Sequence, residues 1–205
     1  MIEPFTNAGR QEAGVGVTFH LVQSDEELER LANMAREIWN EYWPERIGQA
    51  QTDYMVDMFH SIDAMKHDMA EHGYRYWFMV DQNGREVGYT AGCTQVLSGD
   101  AEADAWMKHG DVVDARWPKR FFISKIYLYA DERGKHYGSD AIRFYEQLCR
   151  DEGLPAMYLT VNRDNVLGLR AYEGNGFVSV EDVDAEIGEG HIMYDHIMVK
   201  EIKPL

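Results

Sequence analysis

An apolar strand that runs without a break into a glycine-bearing turn, and from there into an amphipathic helix, constrains this chain more than any other feature. Residues 121–129, Phe-Phe-Ile-Ser-Lys-Ile-Tyr-Leu-Tyr, are dense in β-branched and aromatic side chains and read as a strand. Beyond the turn, Ala141, Ile142, Tyr145, Leu148 and Cys149 recur at helical spacing with polar residues between them. The turn itself is Arg133-Gly134-Lys135-His136-Tyr137-Gly138-Ser139. The first N–H groups of a helix have no partner within it, and the aligned peptide dipoles place partial positive charge there. Strand, turn and helix start together make an anion cradle.

The turn lacks the Gly-Lys-Ser/Thr ending of a P-loop, which argues against a nucleoside triphosphate with magnesium. It also lacks the three-glycine dinucleotide fingerprint, and no first strand of a Rossmann unit precedes it near the N-terminus. A second segment narrows the choice. Residues 158–165, Tyr-Leu-Thr-Val-Asn-Arg-Asp-Asn, form a strand that ends in two asparagines and runs into Val166-Leu167-Gly168-Leu169-Arg170-Ala171-Tyr172 and then Glu173-Gly174-Asn175-Gly176-Phe177.

Together the two segments resemble the signature of the GNAT superfamily of N-acetyltransferases. The cofactor motif Gln/Arg-x-x-Gly-x-Gly/Ala maps to residues 133–138, and the second half of the signature is matched by Val161, Asn162, Asn165, Tyr172, Gly176 and Phe177. Gly168 stands where alanine is usual. The match is firm from about Ile123 to Phe177. His136 takes the position of the motif's first glycine, where a Cβ could obstruct the pyrophosphate; if the backbone there is already helical, an L-residue is tolerated with its side chain pointing out.

The resemblance implies an α/β (α+β) fold with a mixed, mostly antiparallel sheet, flanked by helices and splayed at a cofactor slot. It further implies transfer of acetyl from acetyl-CoA to a primary amine, directly within a ternary complex, with CoA as product. By that reading the amides of Arg133, Gly134, Lys135, His136, Tyr137, Gly138 and Ser139 meet the pyrophosphate. The exposed backbone of Ile126, Tyr127, Leu128 and Tyr129 pairs with the pantetheine arm, the Leu128 amide being the candidate donor to the thioester carbonyl. Asn165 either holds the arm from the other side or caps a helix. Tyr172 is the candidate acid for the departing thiolate, since a phenol of pKa ~10 can donate to it; the alternative is a buried structural tyrosine. No glutamate stands on residues 121–128 to act as a base, and water relayed to Glu41, Glu45 or Asp195 is the open alternative.

Elsewhere the pattern predicts a strand over 17–22, following a flexible segment over 1–16, with 17–205 as a single domain. Ser24-Asp25-Glu26-Glu27 has capping-box form and starts a helix that ends near Pro44. A second helix carries Met55, Phe59, Ile62, Met65 and Met69. Strands over 74–80 and 86–97 flank an Asn83-Gly84 turn, and strands over 177–181 and 192–200 enclose an acidic, glycine-containing connection. Residues 98–119 form a long connection with a short helix over 101–108, and Trp106 and Trp117 suggest that it packs on something. The resemblance implies that the first two helices and their connection cover the acceptor site, where Glu41, Tyr42, Trp43 and Glu45 would offer aromatic walls and carboxylates to an alkylammonium; the competing reading is a core-facing stripe with solvated glutamates.

The net charge of −16 argues against nucleic acid and is compatible with a cationic substrate. Cys93 and Cys149 lack metal-ligand spacing and fit a reducing cytoplasm, and the eight histidines are scattered, so no metal site is expected. No apolar run is long enough to span a membrane. Short stretches around Tyr54, Lys125 and Asp195 look like a bacterial subgroup near the polyamine acetyltransferases, and a homodimer is a mild expectation of the family. A module of the same fold that binds acetyl-CoA without catalysis is the alternative function.

Overall fold

The computed structural model describes residues 16–107, 110–188 and 191–203; the expectation for the N-terminal segment lies outside the described residues apart from Gly16. Seven strands form one sheet, in the order β1-β2-β3-β4-β5-β7-β6. They are β1 (Val17–Leu21), β2 (Arg75–Asp81), β3 (Glu86–Val96), β4 (Lys119–Leu128), β5 (Ala156–Asn162), β6 (Val178–Gly188) and β7 (His191–Glu201). Every neighbouring pair is antiparallel except β4 and β5, which run parallel. That pair is in register only at Phe121↔Met157 and Phe122↔Tyr158; beyond these rungs the two strands part.

Among the described residues seven α-helices cover the sheet: α1 (Asp25–Tyr42), α2 (Pro44–Ile47), α3 (Gln49–Phe59), α4 (Ile62–His72), α5 (Asp111–Arg116), α6 (Tyr137–Asp151) and α7 (Val166–Gly174). The capping box at the start of α1 forms: Ser24 Oγ accepts from the Glu27 amide at 3.2 Å, and the Glu27 carboxylate accepts from the Ser24 amide at 3.3 Å. Leu28, Leu31, Ala35 and Ile38 then bury one stripe of α1 against Tyr76, Phe78, Tyr89 and Ala91 of the sheet. Successive strand residues point to opposite faces. Phe122 and Tyr158 accordingly pack with Val113 and Trp117 of the α5 region, while Phe121 and Leu159 pack with Ile142 and Tyr145 of α6.

Three local expectations are corrected. The helix expected through Met55 and Met69 is two helices, broken at His60, because Ser61 caps α4 through the Ala64 amide at 3.3 Å and His60 turns its ring inward to the Tyr89 hydroxyl at 3.0 Å. In the long connection the helical residues are a 3-10 turn over Ala105–Met107 and α5, rather than 101–108. Asp104 ties the loop back by accepting the Ser98 and Gly99 amides, and Glu181 of β6 caps α5 through the Asp111 and Val112 amides. The acidic connection after 181 is strand: β6 continues to Gly188, its carboxylates matched by Arg163 on Asp184 and by His196 on Asp182.

A slot between parting strands as the candidate active site

The parting of β4 and β5 opens a cavity of about 550 Å³ that reaches from the start of α6 to α7. Ladder alternation orients its β4 wall. The Tyr129 amide donates to the Val87 carbonyl at 3.2 Å, so Tyr127 and Tyr129 spend their backbone groups on β3 while Ile126 and Leu128 turn theirs away from it, toward the slot. In agreement, the Leu128 carbonyl accepts the Arg133 guanidinium through Nε and Nη2, each at 3.3 Å.

At the head of the slot, Ser139 and Asp140 return their amides to the His136 carbonyl at 2.9 and 3.1 Å. No side chain caps α6, and the amides of Tyr137 and Gly138 meet no acceptor among the described residues. Gly134 and Gly138 have open space where a Cβ would project. Unpaired amides, a helix dipole and glycine clearance fit a diphosphate. The expectation of a helical backbone at His136 is overturned: φ is +66° and ψ 10°, the left-handed region, and it is the one non-glycine with positive φ among the described residues. Histidine enters that region more readily than most side chains, at a cost of about 1–2 kcal/mol.

The cavity wall gathers Ile126, Tyr127, Leu128, Arg133, Gly134, His136, Tyr137, Gly138, Ser139, Asn165 and Tyr172, together with Tyr42 and Trp43. Lys135 and Tyr129 stand outside it. Lys135 donates to the buried Glu132 carboxylate at 2.8 Å, where Arg85 also binds, and the Tyr129 hydroxyl donates to Glu37 at 2.9 Å. Asn165 caps α7, its Oδ1 accepting the Gly168 amide at 3.0 Å. A Cβ on residue 168 would lie 2.6 Å from Asn165 Nδ2, which accounts for glycine there. Tyr172 is half-buried with its ring edge-on to Phe177 at 5.8 Å, and burial pushes its phenol up to about 12.

On the opposite face of the sheet lies an aromatic layer. Trp39 packs with Met55 and Val56, and Trp43, Tyr54, Tyr127 and Met193 close around them. Of the aromatic-and-carboxylate group expected at 41–45, Tyr42 and Trp43 line the cavity, while Glu41 and Glu45 are not on its wall. Tyr42 already carries two guanidinium groups near its ring, Arg46 at 3.7 Å and Arg133 at 4.7 Å from the centroid. Glu41 accepts the Ala130 amide at 3.2 Å, and Glu45 projects from the exposed first turn of α2. Asp195, in contrast, is only 5 % exposed, is hydrogen-bonded by Thr160 and has Oδ1 without a partner among the described residues.

Sequence reasoning missed two buried groups behind this layer. His60 is held neutral by burial and by the charge of Lys125. Lys125 is 7 % exposed, donates to Ser124 Oγ at 3.2 Å and lies 5.7 and 5.8 Å from the rings of Tyr74 and Tyr76; burial lowers its pKa. A lysine inside an otherwise apolar strand was the available signal. Cys93 and Cys149 are buried, and burial raises both thiols to about 12, which removes thiolate chemistry. Among the described residues no cluster of three or more His, Cys, Asp or Glu is placed to hold a metal, and no helix is long and apolar enough to cross a membrane.

Residues 32–177 match the Acetyltransferase (GNAT) family, and the chain belongs to that family. No curated protein sequence matches it. Among solved structures it is similar to the PaiA N-acetyltransferase of Thermoplasma acidophilum in complex with coenzyme A, at 17% identity and TM-score 0.62, over 90% of this chain and 99% of that one. It is also similar to a GCN5-related N-acetyltransferase from Rhodopseudomonas palustris, at 14% identity and TM-score 0.63, over 90% and 95% of the two chains. A third is the spermidine N-acetyltransferase of Vibrio cholerae in complex with CoA and spermine, at 17% identity and TM-score 0.57, over 91% and 96%.

Proposed function

We propose that this chain is an N-acetyltransferase that moves acetyl from acetyl-CoA to a small primary amine by direct transfer. One observation carries the reading: a single cavity joins the unpaired amides at the start of α6, the outward backbone of Leu128 and the phenol of Tyr172. The Tyr137 and Gly138 amides hold the diphosphate of the donor. The backbone of Ile126 and Leu128 pairs with its amide-bearing arm, and the Leu128 N–H donates to the carbonyl that is attacked. In this reading Arg133 leaves the Leu128 carbonyl when the arm binds, and its charge then faces the phosphates. Tyr172 gives its proton to the departing sulfur.

The acceptor is a small cationic amine. The aromatic layer around Trp39, Trp43, Tyr54 and Tyr127 accepts an alkyl stem, the buried carboxylate of Asp195 accepts an ammonium, and a net charge of −16 concentrates cations near the surface. Polyamines are the first acceptors to test. Purified protein is given acetyl-CoA with a panel of polyamines, amino acids and aminoglycosides, and free thiol and product mass are measured. Thiol release with at least one amine, together with a rise in Tm on adding acetyl-CoA, is the expected result. Neither signal appearing would reject the reading, whereas a Tm rise without turnover on any amine would make the chain a binding module.

A further inference from the structure

We propose that Asp195 of β7 is the proton acceptor for the incoming amine, standing across the slot from Tyr172; this rests on the acetyl-transfer reading above. Asp195 does not itself line the cavity, but strand register and side-chain alternation support its place at the edge of the slot. β4 and β5 last pair at Phe122↔Tyr158, while Asn162↔Asp195 is the rung four residues further along β5, ~13 Å past that last shared rung at strand rise. Side-chain alternation fixes the face. Ile197 and Val199 pack with Tyr158 and Trp117, so Asp195, two residues before Ile197, shares their face of the sheet, as does Tyr127 with its contacts to α1 and α3. Tyr172 packs on the other face with Phe177 and the α6 cluster. The Tyr127 phenol lies between them, within electrostatic reach of both Tyr172 and Asp195.

The carboxylate is built to take a proton. Thr160 holds it in place, and Oδ1 has no partner among the described residues, an arrangement that a buried acceptor rarely tolerates without a ligand. The charged groups facing it are Arg163 from the loop after β5 and His196 on β7, itself paired with Asp182 of β6; both favour the ionised carboxylate, but burial outweighs them and raises its pKa. Neither Glu41 nor Glu45 offers a comparable group, as one is bonded to a backbone amide and the other is exposed.

The step balances as follows. Asp195 takes one proton from the ammonium, and the freed lone pair forms the C–N bond at the thioester carbon. The C–S bond breaks and the sulfur takes the proton of Tyr172. The surplus N–H proton of the new amide returns to the Tyr172 oxygen, and Asp195 releases its own proton to solvent, so one proton leaves per turnover.

The test sets two nucleophiles against each other: the fastest primary amine of the panel, spermidine first, and hydroxylamine, which is already neutral at pH 7. Asp195→Asn is expected to cut kcat/KM for the primary amine ~100-fold or more at pH 7. It should leave the hydroxylamine rate within about threefold and the acetyl-CoA thermal shift unchanged. The deficit should shrink as pH nears the amine's own pKa. Equal loss with both nucleophiles, or no loss with the amine, would overturn the assignment. Should the variant not fold, the wild-type profile decides: an acidic limb in kcat/KM that lies well below the amine's own pKa, and is absent with hydroxylamine, supports Asp195, and a profile that follows only the amine's own ionisation refutes it. A wild-type protein that releases no thiol with any nucleophile counts against acetyl transfer itself, whereas an active protein indifferent to the substitution counts against Asp195 alone.

Discussion

Tyr172→Phe isolates one oxygen. Burial raises the phenol pKa, and the Tyr172 hydroxyl makes no hydrogen bond among the described residues. Its removal keeps the ring edge-on to Phe177 and deletes no hydrogen bond, and stability should therefore change by less than about 0.5 kcal/mol, roughly 2 °C in Tm. Acetyl-CoA affinity should stay within a few-fold, because the cradle is backbone. Turnover should not survive as well. General acids contribute on the order of 10²–10⁴, and a thiolate needs less help than an alkoxide, so a loss of at least ~10-fold, about 1.4 kcal/mol in the barrier, is expected. A phenol near 12 also stays protonated throughout the assay range, so any basic limb in the wild-type profile belongs to another group. The assay is thiol release with both substrates varied, alongside thermal shift with acetyl-CoA. An unchanged kcat would remove Tyr172 from the chemistry.

His136→Gly should relieve the left-handed strain of about 1–2 kcal/mol while adding about 0.5–1 kcal/mol of unfolded-chain entropy, for a net Tm rise of ~1–3 °C by calorimetry; a fall would mean that the histidine ring is held by something other than its backbone. Asn165→Ala should cost about 1 kcal/mol from the lost cap of α7, and Asn165→Asp should restore it. Weaker acetyl-CoA binding in the Asp variant, seen by titration calorimetry, would show that the Asn165 amide nitrogen holds the arm; equal binding would leave it a cap alone. Asp195 carries a carboxyl whose folded pKa lies above its unfolded value. Its contribution to stability is thus full below the unfolded pKa of about 3.9 and is lost as pH rises through the folded one. Asp195→Asn should accordingly unfold at the same or a higher temperature than wild type at pH 7, with the difference closing toward pH 3; a large drop at pH 7 would contradict a carboxylate left uncompensated by its surroundings.

The donor half of the site was legible because its determinants lie within a turn of one another. The glycines at 134 and 138, the start of α6 and the asparagine that caps α7 are local sequence, and the contacts proposed for the α6 turn are made by backbone whose position follows from the elements themselves. Even there the sign of φ at His136 was not, since histidine is compatible with either sign and residue type alone does not choose between them. The acceptor half depends on side chains from α1, α3, β4 and β7, and no local pattern brings them together. Glu181 caps a helix seventy residues earlier in the chain, Arg133 and Arg46 stack on Tyr42, and the place proposed for Asp195 depends on β7 pairing with β5 at Asn162. Strand register decides that last contact: a slip of one residue would turn Asp195 to the α6 face and bring His196 or Tyr194 in its place. On the assignment proposed for Asp195, acceptor chemistry depends on sheet register, and substitutions that loosen the β5–β7 pairing far from the slot, at Met157↔Lys200 for instance, should impair amine turnover before they impair binding of the donor.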